Sequence, residues 1–151
     1  MYYRIHKNKS NYEIVNLIRN LLIKNFKIVV VGDKLKLKGI INKTNLSKNE
    51  LSKIIKKSKF ALNSGENSLS LFMFDCISNG TKTFVNKRTI SKILKKNQLV
   101  ISVNFEDPKR FTKAVKKNIT KNKLKFSKSK KLLYLKKKIN FQLENYFSSN
   151  I

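Results

Sequence analysis

Apolar residues at positions 14, 15, 17, 18, 21 and 22 recur at the spacing of one helix face. Tyr12 to Asn25 therefore predicts an amphipathic helix, with Asn11 as its N-cap. Phe26-Lys27-Ile28-Val29-Val30-Val31 is a β-branched run stopping at Gly32-Asp33, the pattern of a buried parallel strand and its turn. Met1 to Arg4 reads as the remnant of a strand, and Lys38 to Asn42 as a short second one. Ser47 and Glu50 have the spacing of a capping box, and the helix they open turns Leu51, Ile54 and Ile55 inward. Phe60 to Asn63 predicts a strand and Ser68 to Asn79 a helix, which Gly80 ends. Thr83 to Val85 is a further strand, Arg88 to Lys95 a short helix and Leu99 to Val103 a strand. Asp107-Pro108 is a cap followed by proline at the first helical position, opening a helix to about Ile119.

Strands thus alternate with helices, which predicts a mostly parallel sheet with helices on both faces, a three-layer α/β sandwich. Residues 1 to 120 carry no internal repeat and no Pro/Gly linker, so they form one expected domain. Beyond Thr120 a basic polar linker leads to Leu132, Leu135, Ile139, Leu143 and Tyr146, the stripe of an amphipathic C-terminal helix. Residues 121 to 151 are accordingly a separate basic segment, whose stripe suits packing on the sheet or a neighbour, or docking at a membrane surface.

Charge changes this picture less than its size implies. The formal net charge is +27, yet only Arg4, Arg19, Arg88 and Arg110 among the 35 basic residues are arginine. The chain is also rich in Asn, Ile, Phe and Tyr and poor in Gly, Pro, Ala and Trp. A- and T-rich codons encode the first group and exclude the second, so much of the lysine reads as genome bias. Arginine forks, which lysine does not replace, are the usual readers of bases and phosphates. A basic field nonetheless attracts anions of every kind. Residues 109 to 138 contain fourteen basic residues and no acid. Phe126 and Tyr134 are interleaved there, so a basic nucleic-acid-binding module is the alternative function. No helix-turn-helix, RNA-recognition or zinc pattern supports specific nucleic-acid reading.

Cys76 is the single cysteine, which excludes an internal disulfide and a cysteine metal cluster. The first seven residues lack the apolar centre of a signal peptide, and no apolar run approaches the length of a membrane span. The expected location is the cytoplasm.

Candidate chemistry concentrates in Ser64-Gly65-Glu66-Asn67-Ser68-Leu69-Ser70, followed by Asp75-Cys76-Ile77-Ser78-Asn79-Gly80. A strand, a loop with an acid, a helix with a second acid and a glycine stop place carboxylates and helix N–H groups at one edge of a parallel sheet. Nucleotides bind at such edges. Ser68 and Ser70 are equally well read as ordinary helix caps.

The order of Val29-Val30-Val31-Gly32-Asp33, Phe60-Ala61-Leu62-Asn63-Ser64-Gly65-Glu66, Asp75 to Gly80 and Thr83-Phe84-Val85-Asn86 resembles the C-terminal, donor-binding domain of glycosyltransferases of GT-B architecture, those with a retaining group 1-like pattern. The resemblance spans about residues 1 to 120 and implies a Rossmann-like fold binding a nucleotide-diphosphate sugar, with no metal. Asp75, five residues before Gly80, matches the family's second acid and by resemblance accepts the ribose hydroxyls; the family has Glu there. The first acid falls at Asn67, with Glu66 one residue out of register. The family's glycine-rich loop is replaced by Asn67-Ser68-Leu69-Ser70, where the N–H groups of Ser68 and Leu69 are the expected phosphate donors. Arg4 and Lys9, with Lys7 as a substitute, match the basic pair that holds the diphosphate and offsets the leaving charge. His6 reads mainly as a polar loop residue beside Arg4.

The resemblance also implies a missing acceptor half. The expectation is a partial glycosyltransferase: a truncated reading frame, a separated half or a stand-alone remnant, completed by an N-terminal acceptor domain or a partner chain. The basic tail adds an expected peripheral contact with an anionic membrane at its inner face.

Overall fold

The computed structural model describes residues 2–3, 12–63 and 70–119. The C-terminal segment 121–151, with its expected helix, lies outside the described residues. In chain order the elements are β1 (Tyr2–Tyr3), α1 (Tyr12–Ile23), β2 (Ile28–Gly32), β3 (Ile40–Lys43), α2 (Lys48–Lys57), β4 (Ala61–Leu62), α3 (Leu71–Ser78), β5 (Thr83–Asn86), α4 (Lys92–Lys95), β6 (Val100–Val103) and α5 (Pro108–Ile119).

The strands form two three-stranded parallel sheets, β1-β2-β3 and β4-β5-β6. Val30 faces Asn42 across the β2–β3 pair, and Phe84 faces Ile101 across β5–β6. The fold is α/β with short parallel strands, consistent with a Rossmann-like arrangement.

Successive strand residues enter different apolar clusters, as the two-residue period of a strand requires. Ile28 and Val30 of β2, Leu62 of β4 and Phe84 of β5 join Ile14, Leu17, Ile18 and Leu21 of α1 and Phe111 and Val115 of α5. Val31 of β2 and Ala61 of β4 instead meet Ile55 of α2 and Phe72 and Cys76 of α3. Val85 of β5 packs with Met73 and Ile77 of α3 and with Ile90, Leu94 and Leu99.

One aromatic chain runs through the first cluster. Phe26 precedes β2 and meets Phe60, which precedes β4, with ring centroids 6.0 Å apart. Phe60 then meets Phe84 at 5.6 Å, Phe84 meets Phe111 at 5.5 Å, and Phe111 meets Phe105 at 5.7 Å. Every pair is edge-to-face, the arrangement the ring quadrupole favours by about 0.5–1.5 kcal/mol beyond area burial. The Phe26–Phe60 contact joins the two sheets' entry ends directly.

Helix boundaries follow local chemistry. The Ser47–Glu50 box forms as expected: the Ser47 N–H donates to Glu50 Oε2 at 2.8 Å, and the Glu50 N–H donates to Ser47 Oγ at 3.3 Å. Helix α1 stops at Ile23, short of the expected Asn25, because Asn25 adopts a left-handed φ of 59°. The Phe26 N–H then donates to Leu21 O and the Asn25 N–H to Leu22 O, closing a Schellman motif. Gly80, at φ 69°, closes the same motif on α3 through Thr81 N–H to Cys76 O and Gly80 N–H to Ile77 O.

Alternation of strand and helix fails at one point. β2 and β3 are parallel neighbours, yet Asp33 to Gly39 joins them with no helix. Leu35 and Leu37 of this loop pack into the α1-side cluster in place of a crossover helix. The Asn42 side chain holds the loop, accepting from Leu35 N–H at 3.0 Å and donating to Leu35 O at 3.1 Å. Gly32 and Gly39, at φ 102° and 89°, supply the two sharp turns.

Candidate functional site

Parallel pairing turns the carboxyl ends of the strands in each sheet the same way, and ligands of open α/β sheets bind outside such ends. Here those ends are marked by small amides. Asn63 follows β4 and is 2% exposed; Asn86 closes β5 and is 7% exposed. Asn86 Oδ1 accepts the Arg88 N–H at 3.2 Å, and Asn104 Oδ1, just past β6, accepts the Glu106 N–H at 3.1 Å. Both are Asx turns, which reverse the chain at a strand end. The Arg88 guanidinium pairs with the Glu106 carboxylate and ties the two exit loops together.

Helix α3 begins beside this edge. Its start is three residues later than expected: Ser70 is extended and is the N-cap, its Oγ accepting the Met73 N–H at 3.2 Å. The first helical N–H groups are thus those of Leu71 onward, not those of Ser68 and Leu69. The cap reading of Ser70 is the correct one. Leu71, the first residue of the helix, is 77% exposed.

Asp75 lies about 6 Å along α3 from Leu71 at 1.5 Å per residue. Phe72, Met73, Cys76 and Ile77 form the buried stripe of the helix. At about 100° per residue, Asp75 falls on the flank away from that stripe. It therefore does not face the strands with its apolar neighbours, and it is half-buried. Its backbone is pinned: Asp75 O accepts both the Asn79 N–H at 3.1 Å and Asn79 Nδ2 at 2.7 Å. The Asn79 amide in turn accepts from Ser52 Oγ of α2 at 3.2 Å. Among the described residues the Asp75 carboxylate has no hydrogen-bond or ion-pair partner. Beside it, burial pushes the Cys76 thiol up to about 12, so this cysteine stays protonated and is no nucleophile.

Arg4, Lys9, Glu66, Asn67, Ser68 and Leu69, like His6 and Lys7, lie outside the described residues. Asp75 alone of the expected site residues is described. Sequence reading passed over Asn63, Asn86 and Asn79. For Asn63 and Asn86 the signal was available: an Asn directly after a short apolar run marks a strand end that turns. It also passed over a basic groove between α1 and α5, lined by Asn20, Lys24, Lys109, Thr112, Lys113 and Lys116. Lys109, Lys113 and Lys116 have the i, i+4, i+7 spacing of one helix stripe, which the sequence does display.

Compared with protein-family models, curated proteins and solved structures, the chain matches none. Among the described residues no helix is long and apolar enough to cross a membrane.

Proposed function

We propose that this chain is the donor-binding domain of a GT-B type glycosyltransferase, holding a nucleotide-diphosphate sugar at the carboxyl ends of its strands. In this reading the two sheets adjoin through β1 and β4 into one Rossmann-like sheet of order 3-2-1-4-5-6, covered by helices on both faces. Two observations support the joining: the Phe26–Phe60 contact between sheets, and apolar clusters that draw on β2 and β4 together. The point where strand order reverses, between β1 and β4, is then the ligand crevice. In sequence, Arg4 directly follows β1, and Glu66 to Leu69 follow β4.

The observation that carries the reading is Asp75: a carboxylate with a pinned backbone and no partner among the described residues, on the helix that follows β4. A carboxylate accepts two O–H donors at once, which suits a ribose diol. Arg4 and Lys9 hold the diphosphate, and their fixed charge stabilises the departing nucleoside diphosphate. Glu66 or Asn67 takes the sugar hydroxyls. The acceptor half comes from an N-terminal domain or a partner chain, and the 121–151 segment contributes a peripheral contact with an anionic membrane.

Thermal unfolding of the full chain with millimolar UDP- and GDP-sugars tests this. A ligand at a hundred times its Kd stabilises the native state by about 2.7 kcal/mol. The reading expects a rise in Tm that Asp75→Ala abolishes and Asp107→Ala leaves intact. No rise with any nucleoside diphosphate contradicts it.

A further inference from the structure

The groove between α1 and α5 has a volume of about 330 Å³ and is lined by four lysines with Asn20 and Thr112. Like charges at i, i+4 on a helix repel one another, and Lys109 and Lys113 stand in that relation. Among the described residues no carboxylate relieves them: Lys24, Lys109, Lys113 and Lys116 form no ion pair. Asp107, the acid nearest in sequence, accepts the Arg110 N–H at 2.9 Å as the helix cap. The two uncharged lining side chains are turned to their own helices. Asn20 Nδ2 donates to Asn16 O, and Thr112 Oγ1 donates to Pro108 O. The groove therefore presents concentrated, unneutralised positive charge.

A second feature shares this surface. Ile23 is 70% exposed, one of three large apolar side chains left in solvent among the described residues. It stands one turn after Asn20 at the C-terminal end of α1, on the flank beside the groove lining rather than within it. Lysines around a lone protruding aliphatic side chain match a layer that is anionic at its surface and apolar just beneath.

We propose that the α1–α5 groove, with Ile23, docks the folded domain on an anionic phospholipid surface. Lysine ammonium groups act as point charges on a diffuse headgroup layer, while Ile23 enters the acyl boundary. Single-stranded nucleic acid fits less well. It calls for aromatic stacking platforms and arginine forks, and the groove lining contains neither. The proposal is independent of the Asp75 site, because vesicle binding needs no nucleotide.

The test is co-sedimentation of the full chain with vesicles of phosphatidylcholine, alone or mixed with phosphatidylglycerol. Binding is expected to the mixed vesicles only. Each groove lysine contributes about fivefold in partitioning, so Lys109→Gln with Lys113→Gln and Lys116→Gln weakens binding about a hundredfold. Ile23→Ser lowers it several-fold at unchanged charge. The charge-matched control Lys48→Gln with Lys53→Gln and Lys95→Gln, on α2 and α4, leaves most of the binding. Circular dichroism checks that each variant folds. Equal loss in groove and control variants overturns the proposal, because net charge alone then binds. Unchanged binding of the groove variant also overturns it, because the surface then lies elsewhere, as on the basic tail. Tighter, groove-dependent binding of a single-stranded oligonucleotide overturns it in favour of nucleic acid.

Discussion

On the side of α1 and α5, two twelve-residue helices and residues of β2, β4 and β5 bury one continuous apolar body threaded by five phenylalanines. On the side of α2, α3 and α4, the helices are ten, eight and four residues long, and the buried residues fall into two smaller bodies that share only α3. The long-helix side also takes polar support, from the Asp107 cap and from Lys82 Nζ to Asn118 O at 3.0 Å, but its apolar body is unbroken. The short-helix face leans on side-chain hydrogen bonds: Thr81 Oγ1 to Ile55 O at 3.0 Å, Ser52 Oγ to Asn79 Oδ1, and the caps Ser47, Ser70 and Ser91. Asp75 sits on the side where the buried residues are divided. The lysine groove sits on the outer surface of the continuous one.

The largest difference between the two sides is expected in their cores. Phe84→Ala removes a ring at the centre of the aromatic chain and is expected to cost about 3–5 kcal/mol. Leu94→Ala, within the four-residue helix α4 and in the smaller cluster, is expected to cost about 2–3 kcal/mol. Urea denaturation measures both, and equal losses would mean that the two faces are equally rigid.

Cys76 reports on the divided face through pH. Its thiol keeps its proton to about 12 in the folded chain, against 9.0 ordinarily, because burial disfavours the thiolate. Above pH 9 the unfolded chain releases this proton while the folded chain holds it. Stability from this residue is thus complete below about pH 9 and is lost as pH rises toward 12. Cys76→Ala removes that portion of the slope, measured as ΔG of unfolding against pH for the two proteins. Identical slopes would show that the thiol is open to water.

The caps give the smallest effects. Ser70→Ala is expected to cost about 1 kcal/mol and to loosen the start of α3, seen as faster amide exchange at Met73. At the Ser47 box, the Ser47 hydrogen bonds hold the Glu50 carboxyl below its ordinary value of 4.5. Its support of α2 is present above pH 4.5 and fades as pH falls below it, a change that Ser47→Ala reduces while the Ser47 N–H bond keeps part of it.

Much of the fold was legible because its signals are local. The Ser47–Glu50 box, Gly80 after α3, and Asp107-Pro108 before α5 each act within a few residues, and each stands where the chain predicted it. The misses came from partners distant in sequence or from competing turns. Between β2 and β3 the expected turn and short strand form, but the loop's packing was not legible: Leu35 buries itself against α1, and Asn42 of β3 holds it there. The expected helix from Arg88 shrinks to Lys92–Lys95, because Asn86 takes the Arg88 and Thr89 N–H groups into a turn first. The groove needed two helices nearly ninety residues apart, Lys24 on one side and Lys109 to Lys116 on the other. Of the candidate site, Asp75 stands on the flank of α3 away from the buried stripe, an angle around the helix axis that adjacency to Phe72 and Cys76 does not reveal.

Backbone amide shifts of the full chain, titrated with a nucleoside diphosphate, test the donor-site assignment most directly. Saturable changes are expected at Gly32, Asn63 and Ser70 to Asp75, with Lys109, Lys113 and Lys116 unmoved. Changes confined to the α1–α5 groove, or none at millimolar ligand, would contradict it.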